Sequence, residues 1–242
     1  MSAEKAPGAP GPKDAGAPVS PGNAPLQALG GGAELLSERA YRLIEERIVT
    51  LALPPGALLS ETTLAGELGM GRTPVRAALQ RLAHEGLVQF IRGRGARISP
   101  IDTRAYVRLL EARERVEGLV AALAARRATP AQAAAFAGMA EGFDSITEAG
   151  EIAFMRLDGA FNALLLAAAD NPYCVGLMGQ LQGLSRRFFY RYRAALDLRH
   201  TAALHGAIAG AVAGRDPAGA ETAVMALMRH NRDFAIASLE MP

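Results

Sequence analysis

Between Leu58 and Ile98 the chain reads LLSETTLAGELGMGRTPVRAALQRLAHEGLVQFIRGRGARI, and the punctuation of this stretch leaves few ways to fold it. Ser60 is placed to cap a short helix over Thr62 to Leu68, with Thr63 where a full capping box would carry Glu or Gln. Gly69 supplies its stop. Thr73 is the expected N-cap of a further helix, with Pro74 at the first position, where a missing N–H costs nothing. Val75, Ala78, Leu79 and Leu82 then form the buried face, which leaves Arg72, Arg76 and Arg81 pointing elsewhere. Gly86 breaks that helix. Leu87 to Ile91 reads as a strand, Arg92-Gly93-Arg94-Gly95 as a tight turn and Ala96 to Ser99 as the return strand. Gly93 and Gly95 permit positive φ and close backbone approach, so Arg92 and Arg94 would project from the tip. Ahead of this stretch, Leu36, Ala40, Leu43, Ile44, Ile48 and Leu51 make one apolar stripe on a helix over Glu34 to Leu51, ended by Pro54-Pro55-Gly56.

Two short helices joined by a turn, with a preceding helix and an arginine-tipped hairpin, describe a winged helix-turn-helix. Its charge agrees. Six arginines (Arg72, Arg76, Arg81, Arg92, Arg94, Arg97) face one acid, Glu85, between Met70 and Arg97, whereas fifteen arginines balance fifteen acids from Asp102 onward. The overall net charge of +2 hides this asymmetry. A helix of this size fits the major groove of DNA, and the side chains near its start face base edges and phosphates. Arg72 and Arg76 lie one turn apart on the same face, and such an arginine can fork onto guanine. Thr73 and the free N–H groups of the helix start suit a phosphate. Every cation beyond the first thirteen residues is arginine, but a GC-rich genome produces the same bias, so the bias alone carries little.

Met1 to Gly32 is rich in Ala, Gly, Pro and Ser and poor in large apolar side chains, which predicts a disordered tail. Lys5 and Lys13 cancel Glu4 and Asp14 there, so no basic arm is expected. From Asp102 onward the pattern is helical throughout: Thr103 to Arg127, Pro130 to about Thr147, Ile152 to Ala169, Pro172 to Ala195, Leu198 to Ala213 and Pro217 to Leu239. Thr129-Pro130, Asn171-Pro172 and Asp216-Pro217 mark helix starts. Six helices of this length make a bundle with its own core. The expected fold is therefore mostly α, a winged helix-turn-helix of three helices and a β-hairpin over residues 33–100, followed by an all-α bundle over residues 101–242. The longest apolar run, Phe161 to Ala169, is too short to span a bilayer and contains Asn162. No secretory segment follows Met1, and the single cysteine, Cys174, fits a reducing compartment. A soluble cytoplasmic protein without membrane contact is expected.

SETTLAGELGMGRTPVRAALQRLAHEGLV followed by FIRGRGARI resembles the winged helix-turn-helix of GntR-type bacterial transcription regulators. The RTPVRxAL core, the LxxEGLV continuation and the RGxG wing stand in order and in register. The helical remainder resembles the ligand-binding FCD domain of the FadR subfamily. The resemblance implies a homodimeric transcription regulator, most often a repressor, that binds double-stranded operator DNA. It assigns operator contacts to Arg72, Thr73, Arg76, Arg92 and Gly93, and the wing reading adds Arg94. Gly71 stands where the family usually has Ser, and Thr62 where it often has Arg; both departures would retune operator choice.

FCD domains commonly hold a divalent metal with one Asp and three His. The matching positions here are Asp158, Asn162, His205 and Leu227, with His230 one turn beyond Leu227. Half of the ligand set is thus missing, since Asn is a weak neutral donor and Leu is none. Two readings stay open: a metal-dependent regulator using Asp158 and His205, or a metal-free effector pocket lined by these groups. Arg113, which falls where FCD domains keep an arginine, and Arg186 or Arg187 are candidates to clamp the carboxylate of a small organic acid effector. Arg113 also has Glu117 at i+4 as a salt-bridge partner. Phe188, Phe189, Tyr190 and Tyr192 supply core or pocket wall. No nucleophile with a base, nucleotide loop or paired carboxylate motif stands out, so an enzyme is not expected. A rival from another class is a small-molecule-binding bundle whose wing serves only as a protein interface.

Overall fold

The computed structural model describes residues 35–93, 95–193 and 197–240. The tail expected over residues 1–32 and the wing-tip Arg94 lie outside the described residues.

The first helix, α1 (Leu36–Val49), turns Ala40, Ile44 and Ile48 inward. A two-residue strand, β1 (Leu58–Leu59), leads to α2 (Glu61–Leu68). Ser60 caps α2 by accepting from the Thr63 N–H, and Gly69 ends it at φ 62°. After Met70 and Gly71 comes α3 (Arg72–His84), which buries Val75, Ala78, Leu79 and Leu82. Strands β2 (Val88–Ile91) and β3 (Gly95–Ile98) form the wing. The sheet is antiparallel in the order β1-β3-β2, with Leu59 opposite Ala96 and Phe90 opposite Ala96 from the other side. Alternation along β3 sends Ala96 and Ile98 into the core and Arg97 outward. Leu64, Leu79, Leu82, Leu87 and Ile98 close one apolar cluster around the α1 stripe. Each such leucine is worth about 2–5 kcal/mol against alanine.

Two details depart from the expected pattern. Thr73 is not the N-cap of α3. Gly71 takes the extended cap conformation at φ −69°, ψ 160°, and Arg72 is already helical. Thr73 and Pro74 therefore sit inside the first turn, where no acceptor awaits their N–H positions. Strand β1 was not anticipated, because two residues held by main-chain pairing to β3 carry no periodicity to read.

The second cluster is the helical bundle. The 25-residue α4 (Thr103–Arg127) is its axis, capped by Asp102, whose carboxylate accepts from the Arg104 and Ala105 N–H groups. Around it stand α5 (Pro130–Asp144), α6 (Glu151–Ala169), α7 (Pro172–Tyr192), α8 (Leu198–Ala213) and α9 (Pro217–Ala237), closed by a 3₁₀ turn at Ser238–Glu240. Helix α4 packs on α6, α7, α8 and α9, and α5 packs on α6 and α8. Thr129 and Gln132 form a full capping box on α5. Phe136, Phe143 and Phe161 meet edge to face in the core. Arg127 donates to the Ala169 and Asp170 carbonyls at the end of α6, and Arg215 to the Ala128 carbonyl at the end of α4. Both place a cation on the negative end of a helix. Cys174 is buried and unpaired.

Helix α6 corrects the reading of its apolar content. At 19 residues it is long and apolar enough, by length and composition, to cross a bilayer. In this fold it packs against α4, α5 and α8, and its mid-length Arg156 and Asp158 would be costly in hydrocarbon. Only Phe161, Leu165, Ala168 and Ala169 of α6 are buried.

Candidate nucleic-acid interface and effector cavity

The outer face of α3 carries Arg72, Thr73 and Arg76, all exposed, with Gln80 one turn further along. No side chain caps the start of α3 and no acid lies in its first turn, so its free N–H groups and positive dipole end face outward. Arg72 makes no ion pair among the described residues, and Arg76 has only a loose one, 3.9 Å from Glu61 with its side chain 64% exposed. Arg81 differs. It is held by Glu38 at 2.8 Å and Glu85 at 3.2 Å and lies 3.7 Å over the Tyr41 ring. That arginine braces α1 against α3 and is not free to read a ligand. On the wing, Arg92 is exposed, and Gly93 and Gly95 take φ of 73° and 88°. Arg97 is pinned to Gln89 across the strands at 2.9 Å. Gln80 was missed in the sequence, although its i+4 spacing from Arg76 places it on the same face.

In the bundle, Arg113, Asp158, Asn162, Arg186 and His205 line one cavity of about 470 Å³. A second hollow of about 650 Å³, beside Asp144, Asp197 and Arg199, is more open to solvent and holds none of the anticipated residues. The first cavity has apolar walls from Val49, Phe154, Leu166, Phe189 and Leu198. Its polar groups form pairs. The His205 Nδ1–H donates to the Thr201 carbonyl at 2.8 Å, which leaves Nε2 facing Asp158 Oδ1 at 3.3 Å. Burial pushes the His205 pKa down, but the hydrogen bond to Asp158 and its charge outweigh burial and hold it above the ordinary value. Burial likewise pushes Asp158 up, and His205, with help from Arg113 and Arg186, holds it below the ordinary value. Phe143, Phe154 and Phe161 surround the imidazole at 5.3 to 6.1 Å. Arg113 is buried and donates through Nε to Glu117 at 2.6 Å, the i+4 pair foreseen in the sequence. Asn231 Oδ1 is buried on the cavity wall with no hydrogen-bond partner among the described residues, and Ser185 Oγ lies buried beside it near Tyr106.

The residues at the family's metal positions do not fit a metal. Asn162 turns its NH₂ toward Asp158 Oδ1 at 2.8 Å, and its oxygen, a weak neutral donor, already accepts from Gln182 at 2.8 Å. Leu227 is fully buried and apolar. His230 faces Thr201 and His200 instead of the Asp158–His205 pair. Among the described residues no three His, Cys, Asp or Glu side chains converge as a metal would require.

The cavity is not a property of the bundle alone. Glu45, Glu46, Val49 and Thr50 of α1 close one side of it. Arg186 of α7 is ion-paired to Glu45, and the neighbouring Arg187 donates to the Ser99 carbonyl. Arg187 is buried without an anion among the described residues, and burial lowers its pKa to about 10. Leu184 packs on the apolar cluster of the winged domain, and Gly183 approaches Leu87 so closely that a Cβ there would lie 3.2 Å from the leucine methyl. One face of α7 thus docks the two clusters. The α1 contribution was not legible in the sequence, since Glu45 sits on a helix otherwise explained by its core stripe.

Comparison with known proteins agrees with this architecture. Residues 36–98 match the model described as bacterial regulatory proteins, gntR family, and residues 108–230 match the FCD domain. An HTH-type transcriptional regulator of Streptomyces ambofaciens is 43% identical over 77 residues, 32% of this chain and 33% of that protein. One from Mycobacterium tuberculosis is 30% identical over 221 residues, covering 80% of this chain and 86% of that one. The Escherichia coli McbR/YncC structure superposes with a TM-score of 0.73 at 21% identity, over 86% of this chain and 100% of the other. These matches exclude the reading of a bundle whose wing does not serve DNA. With the free arginine face of α3, the wing and the helical bundle now in place, the chain belongs to the GntR family of DNA-binding transcriptional regulators and carries an FCD domain, and it is not an enzyme.

Proposed function

We propose that this regulator is a homodimeric repressor whose residues 33–100 read an operator and whose residues 101–242 dimerise and bind a small carboxylate-bearing metabolite. The observation that carries the operator reading is the contrast among the arginines of α3: Arg81 is tied down by Glu38, Glu85 and Tyr41, while Arg72 and Arg76 are left facing solvent. Placed in a major groove, Arg72 and Arg76 reach base edges, Thr73 and the uncapped helix start hold a phosphate, and Arg92, Gly93 and Arg94 follow the flanking minor groove. Two copies would seat their α3 helices in successive major grooves of a short palindrome. Gly71 and Thr62 tune operator choice by the contacts they omit. Exposed apolar side chains on α6 and the start of α7, among them Ile152 at 68% and Tyr173 at 83% exposure, support a surface that a second copy covers. The effector reading rests on the cavity, where Arg113, Arg186 and His205 stand as cations among apolar walls and Asp158 orients His205. Gel shift on promoter-proximal duplexes tests the operator reading. Arg76→Ala should weaken binding by about 1–3 kcal/mol, and an unchanged affinity removes Arg76 from the reader.

A further inference from the structure

The cations that an anionic ligand would seek in the cavity already have protein partners. Arg113 has Glu117, His205 has Asp158, and Arg193 at the rim has Glu151 at 3.1 Å. These three pairs lie within the bundle. The pair of Arg186 with Glu45 is different, because Glu45 belongs to α1 and the pair crosses from the bundle to the DNA reader. Its two ends are also unequally held. The Arg186 side chain is 47% exposed and free to swing, while Glu45 is only 11% exposed. Glu45 therefore holds its carboxylate where a carboxylate entering the cavity would bind.

We infer that Glu45 is a built-in occupant of the effector's anion subsite: a ligand carboxylate takes Arg186 from Glu45 and thereby unfastens α1 from α7. The inference rests on the reading that the cavity takes an anionic effector. The ligand class follows from the walls. Its head is a carboxylate at Arg186, and its body is apolar, fitting Val49, Phe154, Met155, Leu166 and Phe189. Asn231 Oδ1, buried and without a partner among the described residues, adds a polar contact at the wall.

Exchange changes the balance at the seam. With Arg186 withdrawn, Glu45 is a buried carboxylate facing a second carboxylate, with the charges of Glu85 and Glu46 against it and only Arg81 left to offset them. Burial raises its pKa and the Arg186 charge opposes that, so the carboxylate depends on this pairing. Leaving such a group buried and unpaired is strongly unfavourable, and the relief available is for α1 to move into water. Of the other seam contacts, Leu184 and Gly183 stay packed on the winged cluster, and one lies at the chain's connection. Arg187 holds the Ser99 carbonyl, three residues before Asp102 caps α4, so the reader would pivot there and need not detach. Ligand binding and full docking of the reader are thus mutually exclusive by simple competition for one guanidinium.

Hydrogen–deuterium exchange on the full-length protein tests this, with straight-chain carboxylates from acetate to decanoate as probes, each against its amide. In the wild type, a bound carboxylate should raise exchange in α1, and the matching amide should not. Glu45→Gln should raise α1 exchange without any probe and bind the carboxylate roughly fivefold tighter or more, the competitor being gone. Arg186→Gln should also free α1 but lose carboxylate binding by at least about tenfold. A Glu45→Gln protein whose α1 exchanges as slowly as the wild type overturns the latch. Carboxylate binding that leaves α1 as protected as before overturns the exchange while sparing the anionic effector. If no carboxylate binds Glu45→Gln, where Arg186 stands free, the anionic-effector reading itself fails.

Discussion

Asp158 and His205 hold one another charged in a cavity that would otherwise neutralise both. Because His205 sits above its ordinary value when folded, its contribution to stability is full below the unfolded histidine pKa and fades as pH rises through the raised folded value. Asp158 runs the other way. Its lowered folded value makes its contribution full above the unfolded carboxylate pKa and lost as pH falls through the folded one. The pair should therefore stabilise most between about pH 4 and 6.5, the ordinary Asp and His values. Denaturant unfolding of the wild type against Asp158→Asn should show its widest gap in that window. In Asp158→Asn, burial acts unopposed by this partner, so the His205 titration followed by NMR should move downward; an unmoved titration would mean the pair is not coupled. The role of Asn162 was only half legible at this scale. Its position was readable from the i+4 spacing to Asp158, but its orientation was not, because that depends on Gln182, which arrives from another helix.

At the level of the element, the wing depends on Gly95. Its φ of 88° disfavours a side chain, and an added Cβ would lie 2.8 Å from the Leu59 carbonyl oxygen, a main-chain atom of β1 that cannot step aside. Gly95→Ala should cost more than about 1 kcal/mol and splay β1 from β3, weakening operator binding through the wing while the bundle stays intact. Thermal unfolding with strand-resolved hydrogen exchange checks this; an alanine variant as stable as the wild type contradicts it. Gly93, with a similar φ but open space around it, should tolerate substitution better. The need for glycine in the turn was visible in RGRG, but which glycine is sterically trapped was not, since the obstacle is a strand too short to leave a pattern. The same logic explains Thr73. The sequence pointed to Thr73 as the cap, but the backbone turns helical right after Gly71, with no side-chain cap at all. Helix identity in the bundle was legible throughout because apolar period and the Pro-marked starts agreed. What periodicity could not report is which exposed face a neighbour uses, as with Glu45 on α1.

For the whole molecule, the proposed homodimer would cover the exposed apolar face of α6 and α7. Replacing Ile152 with Glu should shift the protein toward monomer in sedimentation velocity at low micromolar concentration without unfolding it, because the side chain is exposed in the single chain. An unchanged sedimentation coefficient would place the dimer elsewhere. Charge is also distributed at this scale. A reader with six arginines against one acid between Met70 and Arg97 is joined to a bundle whose charges balance, so DNA affinity should come from a small, defined set of phosphate contacts. The most direct test is the salt dependence of affinity for an operator duplex, measured by fluorescence anisotropy on the wild type and on Arg72→Ala/Arg76→Ala. The wild type should lose affinity linearly in log salt with a slope reflecting several phosphates, and the double variant should bind at least about tenfold more weakly with its preference for the operator over random duplex erased. A salt-independent affinity, or a double variant that still prefers the operator, would contradict the assignment of α3 as the reader.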